Sequence, residues 1–344
     1  MILPQEISSE EDLEEILSRP SAEDIQDLSR LDGDILILGA GGKMGPSLAR
    51  LAVRASREAG SARRVIAVAR FSNKGLLQAL RNDGVEVIEA NLFDIQSLRE
   101  LPDAENVVYM AGRKFGTSGD EAFTWATNAY LPGLVADRYR DSRMAAWSTG
   151  NVYPLSSIQS VGPNEEAPVG PIGEYAQSAL ARERIFEYFS ATVGAKVSLL
   201  RLNYAVELRY GVLVDLATKI LAGAPVDISM GAVNIIWQGY ANSVCLRSLL
   251  HACAPPFILN VTSPRSYSVR WLAEQLAKEL CIDPVFIGQP FDSALLSDAS
   301  RCLKIFGPSP IPIEQLIPWV ARWVRSGGPL LNKPTHFEVR EGRF

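Results

Sequence analysis

The sequence is poor in the residues from which metal centres and disulfide frameworks are built. Two histidines, His251 and His336, and four cysteines, Cys245, Cys253, Cys281 and Cys302, are all that its 344 residues contain. No CxxC pair occurs, so neither a zinc ribbon nor a disulfide scaffold is indicated, and the cysteines read as reduced core thiols. A zinc or non-haem iron site built on several histidines cannot be assembled from one chain. Positive charge is not in excess: 34 basic residues against 39 acidic ones leave a formal charge of −5, which argues against a nucleic-acid partner. Long apolar runs are missing too, none approaching the roughly 20 residues that span a bilayer. The amino-terminal stretch MILPQEISSEEDLEE is acidic where a secretory signal would be basic. A cytoplasmic protein with no membrane partner is the expectation. With 47% hydrophobic and 21% charged residues, the chain has the apolar content to build a sizeable core.

Residues 1–32 carry two short helical patterns, EEDLEEILSR and AEDIQDLSRL, each preceded by a serine with an acidic residue three places on: Ser8 with Glu11, and Ser21 with Asp24. That spacing is the capping-box signature and predicts a helical extension before the first strand. From residue 33 to about 200 the texture changes. Short β-branched runs at 35–38, 64–69, 85–88, 106–110, 144–148 and 197–200 alternate with helical stretches, a βαβ series that predicts a parallel sheet covered on both faces. Beyond Arg201 prolines and glycines punctuate shorter elements, so residues 201–344 read mainly as a smaller second lobe. The run FILNVTS at 257–263 has the texture of a strand returning to the first sheet. The polar ending KPTHFEVREGRF reads as a tail or docking arm.

The first strand, ILIL, runs directly into Gly39-Ala40-Gly41-Gly42-Lys43-Met44-Gly45, and a helical stretch follows at once. Glycines in that place permit a tight turn, let a pyrophosphate approach the backbone, and allow the helix to pack on the strand. The helix start then offers unpaired N–H groups and a positive dipole end to the anion. At the end of the second strand stands Val68-Ala69-Arg70-Phe71-Ser72-Asn73-Lys74. The carboxylate that usually accepts hydrogen bonds from a ribose is missing there, whereas Arg70, with Ser72, Asn73 or Lys74 assisting, suits a 2′-phosphate. The cofactor expected is NADP in preference to NAD.

Spaced as Gly39, Gly42 and Gly45, the loop is GxxGxxG, which resembles the extended short-chain dehydrogenase/reductase family of NAD(P)-dependent epimerases and dehydratases. The resemblance implies a Rossmann-like α/β fold, a doubly wound parallel sheet with a smaller carboxyl-terminal substrate lobe, and usually a homodimer formed through the helices that here carry Asn128 and Tyr175. It places Asn91 and Leu92 at the adenine edge, and Met110, Ala111 and Gly112 against the cofactor after the fourth strand. Ser148-Thr149-Gly150-Asn151-Val152-Tyr153 is similar to the family's SSxxxVY stretch, which makes Thr149 the candidate catalytic hydroxyl. Gly173-Glu174-Tyr175-Ala176-Gln177-Ser178-Ala179 is similar to the YxxSK helix, with Tyr175 as the proton carrier, but Ala179 stands where the family has lysine.

An unassisted tyrosine has a pKa of about 10, so the missing lysine leaves three accounts open. Another cation substitutes, either Lys114 in the AGRKFG loop or Lys43 in the glycine loop. Alternatively Tyr175 acts as a neutral donor that polarises a carbonyl while hydride moves. In the third account catalysis is weak or lost, and the protein is a dinucleotide-binding sensor or interaction module.

In the second lobe, Arg201-Leu202-Asn203-Tyr204 is similar to the family's RxxN segment, and Asn234-Ile235-Ile236-Trp237-Gln238 takes the place of RDFIYVDDVA without its arginine or aspartates. These departures predict a sugar-like substrate lacking a nucleotide-diphosphate handle. Lys114, Asn203 and Trp237 are the candidate substrate residues, Trp237 by stacking on a sugar face.

Overall fold

A computed structural model describes residues 3–114, 116 and 119–342. Two short helices, α1 (Glu10–Leu17) and α2 (Ala22–Ser29), precede the first strand. Ser21 and Asp24 form the reciprocal capping box, whereas α1 is capped by Ser9, one residue later than the spacing had suggested, through the Asp12 N–H. Both helices lie against α3 (Gly45–Glu58), and α1 is tied to it by ion pairs, Arg50 with Glu14 at 2.6 Å and Arg54 with Glu15 at 3.0 Å.

Strands β1 (Ile35–Leu38), β2 (Val65–Ala69), β3 (Glu86–Glu89), β4 (Asn106–Tyr109) and β5 (Arg143–Thr149) join Lys196–Leu202 and Phe257–Val261 in one seven-stranded sheet. Its order is Phe257–Val261, Lys196–Leu202, β5, β4, β1, β2, β3, and every pairing is parallel. The central strands are buried throughout, as the unbroken apolar runs require of a sheet covered on both faces. The chain order reverses beside β1, so the crevice beyond the carboxyl ends of β1 and β4 is the topological switch point at which such folds bind ligands.

Helices α4 (Lys74–Asn82), α5 (Ile95–Glu100), α6 (Glu121–Trp125), α7 (Leu131–Arg138) and α8 (Gly173–Val193) complete the covering of the sheet. A π-helical segment, Ala126–Tyr130, links α6 to α7. Beyond residue 202 come α9 (Val212–Leu221), α10 (Gln238–Ser248), α11 (Val269–Leu280), α12 (Ser300–Phe306) and α13 (Ile313–Arg325), with two-stranded ribbons between them. Helix α10 is buried along its whole length and hydrogen-bonds to α3 through Asn242 and Ser47 at 3.0 Å. Among the described residues no helix is long and apolar enough to cross a membrane, and no group of three or more His, Cys, Asp or Glu side chains is placed to hold a metal ion.

Candidate active site

A cavity of about 340 Å³ opens at the carboxyl ends of β1, β4 and β5. Its floor on one side is the glycine loop, where Gly39, Gly42, Lys43 and Met44 face it. Two glycines are required sterically. A Cβ on Gly39, which has φ +89°, would stand 2.6 Å from the Ala111 nitrogen, and one on Gly45 would stand 2.2 Å from the Ala40 carbonyl oxygen. No side chain caps the start of α3, and Pro46 occupies its first turn. Glycine backbone without Cβ atoms at a helix start without a side-chain cap fits a diphosphate group.

A second opening, a groove of about 1050 Å³, runs from Gly41 and Gly42 between α1, α3 and α4. Gly42, Lys43 and Lys333 line both openings, so the two meet at the glycine loop. This gives a dinucleotide a continuous path, with one half in the cavity and the other along the groove.

Thr149 ends β5, and its hydroxyl accepts hydrogen bonds from the Asn151 backbone N–H at 3.2 Å and side-chain Nδ2 at 3.0 Å. Tyr175 lies in the first turn of α8 and is hydrogen-bonded to Thr149. Burial pushes the phenol pKa up; the bond to Thr149 and the charge of Arg182 work in the opposite direction. The two residues that the sequence had put together therefore meet on the cavity wall.

Arg182 is the residue that sequence reasoning missed. It lies seven positions after Tyr175, two turns along α8 and so on the same face. It is 6% exposed and lines the cavity; its Nη1 donates to the Trp147 carbonyl at 2.7 Å and its Nη2 to Asn128 Oδ1 at 2.7 Å. Its buried Nε has no hydrogen-bond partner, and among the described residues no carboxylate pairs with it. Between it and Tyr175, Ala179 is wholly buried. Lys43 and Lys114, the expected substitutes for the missing lysine, also line the cavity, and the charge of Arg182 bears on the Tyr175 phenol.

Asn128 sits in the π-helical segment with no exposed surface and all four of its hydrogen-bonding positions engaged. Its Oδ1 accepts from Arg113 N at 2.9 Å and from Arg182, while its Nδ2 donates to Arg113 O at 2.9 Å and Ser178 Oγ at 3.0 Å. It thereby holds the loop after β4 against α8. In that loop Met110 and Gly112 face the cavity, Ala111 packs under Gly39, and a Cβ on Gly112 would meet Arg182 Nη2 at 2.8 Å. Phe115 lies outside the described residues.

The lysines occupy unusual surroundings. Lys43 Nζ lies 3.0 Å from the centroid of the Tyr210 ring, and burial, reinforced by the charges of Lys114 and Lys333, brings its pKa down to about 6. Lys114 Nζ donates to the Thr335 carbonyl at 3.2 Å; burial brings it down to about 8 against the opposing pull of Asp215 and Glu338.

Other expected residues are placed less simply. Asn203 lines the cavity with its Nδ2 donating to the Leu295 carbonyl at 3.3 Å. Trp237 is not on this cavity: it is 2% exposed, edge-on to Trp319, and borders a separate apolar cavity of about 240 Å³. Ile235 and Ile236 beside it are core residues that carry the indole inward, so the expected stacking on a substrate does not match its position. Asn91 is exposed, Leu92 is buried in the core, and neither lines the cavity or the groove. Arg70 and Ser72 are exposed beyond β2, while Asn73 caps α4 and borders the groove, and Lys74 pairs with Glu89.

The model of the NAD dependent epimerase/dehydratase family matches residues 35–226, more than half of the chain, from β1 through the Thr149 and Tyr175 segments. The chain belongs to that family. Epimerase/dehydratase-type enzyme chemistry with a nicotinamide dinucleotide goes with that membership. The fold is similar to that of UDP-glucose 4-epimerase from Thermotoga maritima, with 18% identity and a TM-score of 0.69 over 86% of this chain and 99% of that one. It is also similar to DesIV, a dTDP-glucose 4,6-dehydratase from Streptomyces venezuelae, with 17% identity and a TM-score of 0.71 over 85% and 97%. UDP-glucuronic acid 4-epimerase from Bacillus cereus, solved with NAD, gives 15% identity and a TM-score of 0.68 over 85% and 99%. At these identities the likeness is one of fold. No curated protein in the comparison matches the sequence.

Proposed function

We propose that this enzyme interconverts a secondary alcohol and a ketone on a sugar-like substrate without a nucleotide-diphosphate handle, using NADP. The observation that carries the reading is the Thr149–Tyr175 pair on the cavity wall with the Arg182 guanidinium on the same helix face. The glycine-loop amides, the start of α3 and the Met110–Gly112 loop would hold the dinucleotide, which when bound supplies or accepts hydride. Thr149 orients the reacting oxygen. Tyr175, kept protonated at neutral pH by burial, donates a hydrogen bond to that oxygen in the ketone and passes it a proton as the alcohol forms. Arg182 lowers the cost of the phenolate left behind, the task for which the family uses a lysine at position 179.

Three further features support the finer points. Arg70 is exposed at the end of β2 and has no ion pair among the described residues, which suits a 2′-phosphate. The cavity, at about 340 Å³, is small for a nucleotide-linked sugar beside a nicotinamide riboside. Phe123, Trp125, Tyr130 and Tyr188, all exposed on the α6–α8 face, suit a homodimer interface there.

The deciding variant is Tyr175→Phe. It is expected to bind NADPH within about threefold of the wild type by calorimetry and to lose turnover of keto-sugars by 10²-fold or more, the scale of a general acid. Equal loss of binding and turnover would make Tyr175 a structural residue.

A further inference from the structure

Residues 329–342 form neither helix nor strand, yet they are fastened at every few residues. The Pro329 carbonyl accepts from Trp323 Nε1 at 3.1 Å, and Leu331 N donates to the Arg209 carbonyl at 3.0 Å. Thr335 donates twice to Asp215 Oδ2 on α9, from its N–H at 2.8 Å and its hydroxyl at 2.6 Å. Phe337 is buried, Arg340 donates to the Ser293 carbonyl at 2.6 Å, and Gly342 packs on Ile172–Gly173 at the start of α8. The segment is thus a strap laid across the mouth of the cavity, from the end of α13 to the turn that begins the Tyr175 helix.

The strap brings Lys333 to the one place where cavity and groove meet, beside Gly42 and Lys43. Lys333 is exposed and has no ion pair or hydrogen bond among the described residues. No Asp or Glu lines the cavity. Glu207 pairs with Arg209 at 3.1 Å, Asp215 accepts from Thr335, and both also act on Lys43 through their charge; Glu14 and Glu15 on the groove wall pair with Arg50, Arg54 and Arg209. Lys43 and Lys333 thus border the backbone cradle that fits a diphosphate, and the charge of Lys333 is one of those that hold Lys43 toward its neutral form.

We propose that the strap is part of the dinucleotide site, and that Lys333 closes with Lys43 on the diphosphate where cavity and groove join. The proposal rests on the dinucleotide binding that family membership brings, and it assigns to a segment outside the family match a role in holding the cofactor. A diphosphate between the two lysines favours the charged form of Lys43 and accepts charge-assisted hydrogen bonds from both.

The test uses the full chain and ADP-ribose, a probe that carries the diphosphate and no nicotinamide, with NADPH beside it. Lys333→Ala is expected to weaken both ligands about tenfold in calorimetry, to flatten the salt dependence of binding, and to leave the melting temperature unchanged. Lys333→Arg is expected to stay within about twofold of the wild type. In limited proteolysis, ADP-ribose should protect the strap in the wild type and fail to protect it in Lys333→Ala. Unchanged affinity and unchanged protection in Lys333→Ala would overturn the clamp while leaving dinucleotide binding intact. A wild type that binds neither ligand would instead overturn the dinucleotide reading, and the clamp with it.

Discussion

A buried methyl group at position 179 stands between two polar side chains on one face of α8, and the Arg182 guanidinium lies one turn further along. From the sequence alone Ala179 was visible as a departure, and Lys43 and Lys114 were the cations nearest to the motifs. Arg182 was hidden because its relevance depends on seven residues being two helical turns, and on α8 persisting without a break past Tyr175. The signal, Tyr-x6-Arg, was there to be read. Its consequence is open to measurement: removing the guanidinium leaves only the bond to Thr149 to oppose burial and raises the Tyr175 pKa further. Arg182→Gln is expected to lower alcohol oxidation about tenfold at neutral pH and to move its pH–rate profile upward, with Arg182→Lys intermediate. A profile that stays in place while activity falls would mean that Arg182 only holds Asn128. Trp237 was misread for a related reason. Side-chain direction in a two-residue strand is set by the elements on either side, which no local pattern shows.

At the scale of elements, periodicity made most of the sheet legible. The apolar runs at 35–38, 64–69 and 106–110 correspond to β1, β2 and β4, and the loop after β1 had the required order of strand, glycines and helix. The binding strap was not legible, because its order comes from side-chain anchors scattered over α9, α13 and the segment before α12 rather than from a repeat. The link between α8 and its neighbouring strand was equally hidden. Arg201, which begins the segment similar to the family's RxxN, is 3% exposed and forks onto Glu183 at 2.7 Å, while Glu183 also accepts from Ser148. Its Nη1 donates to the Tyr153 hydroxyl at 2.6 Å, which in turn donates to Asn260 at 2.9 Å. This network holds the end of β5, and Thr149 with it, at a fixed distance from α8. Removing one member strands a buried charge, so Glu183→Ala is expected to cost about 3–5 kcal/mol in denaturant unfolding. A loss below about 1 kcal/mol would show that the pair is not needed to hold the two elements together.

For the whole molecule, the two lobes were expected to divide near residue 200, and the chain does change texture there. The run at 257–263 had the texture of a strand returning to the first sheet, and Phe257–Val261 does complete the sheet edge beside Lys196–Leu202, so the lobes do not divide cleanly in sequence. The amino-terminal segment binds the other lobe too, with the Pro4 carbonyl accepting from Trp319 on α13 at 3.3 Å. The exposed aromatic side chains on the α6–α8 face belong to this scale as well. Sedimentation is expected to show a dimer for the wild type and a monomer for a Tyr130→Glu, Tyr188→Glu double variant; a monomeric wild type would remove that interface from consideration.

The weaving of late strands into the first sheet carries a consequence of its own. A fragment cut at residue 200 would leave the edge of Lys196–Leu202 unpaired and the inner face of α3 stripped of α10, so the dinucleotide half is not a detachable module. Grafting experiments that aim to change what the enzyme acts on should therefore exchange short loops around the cavity and leave the boundary between the lobes alone.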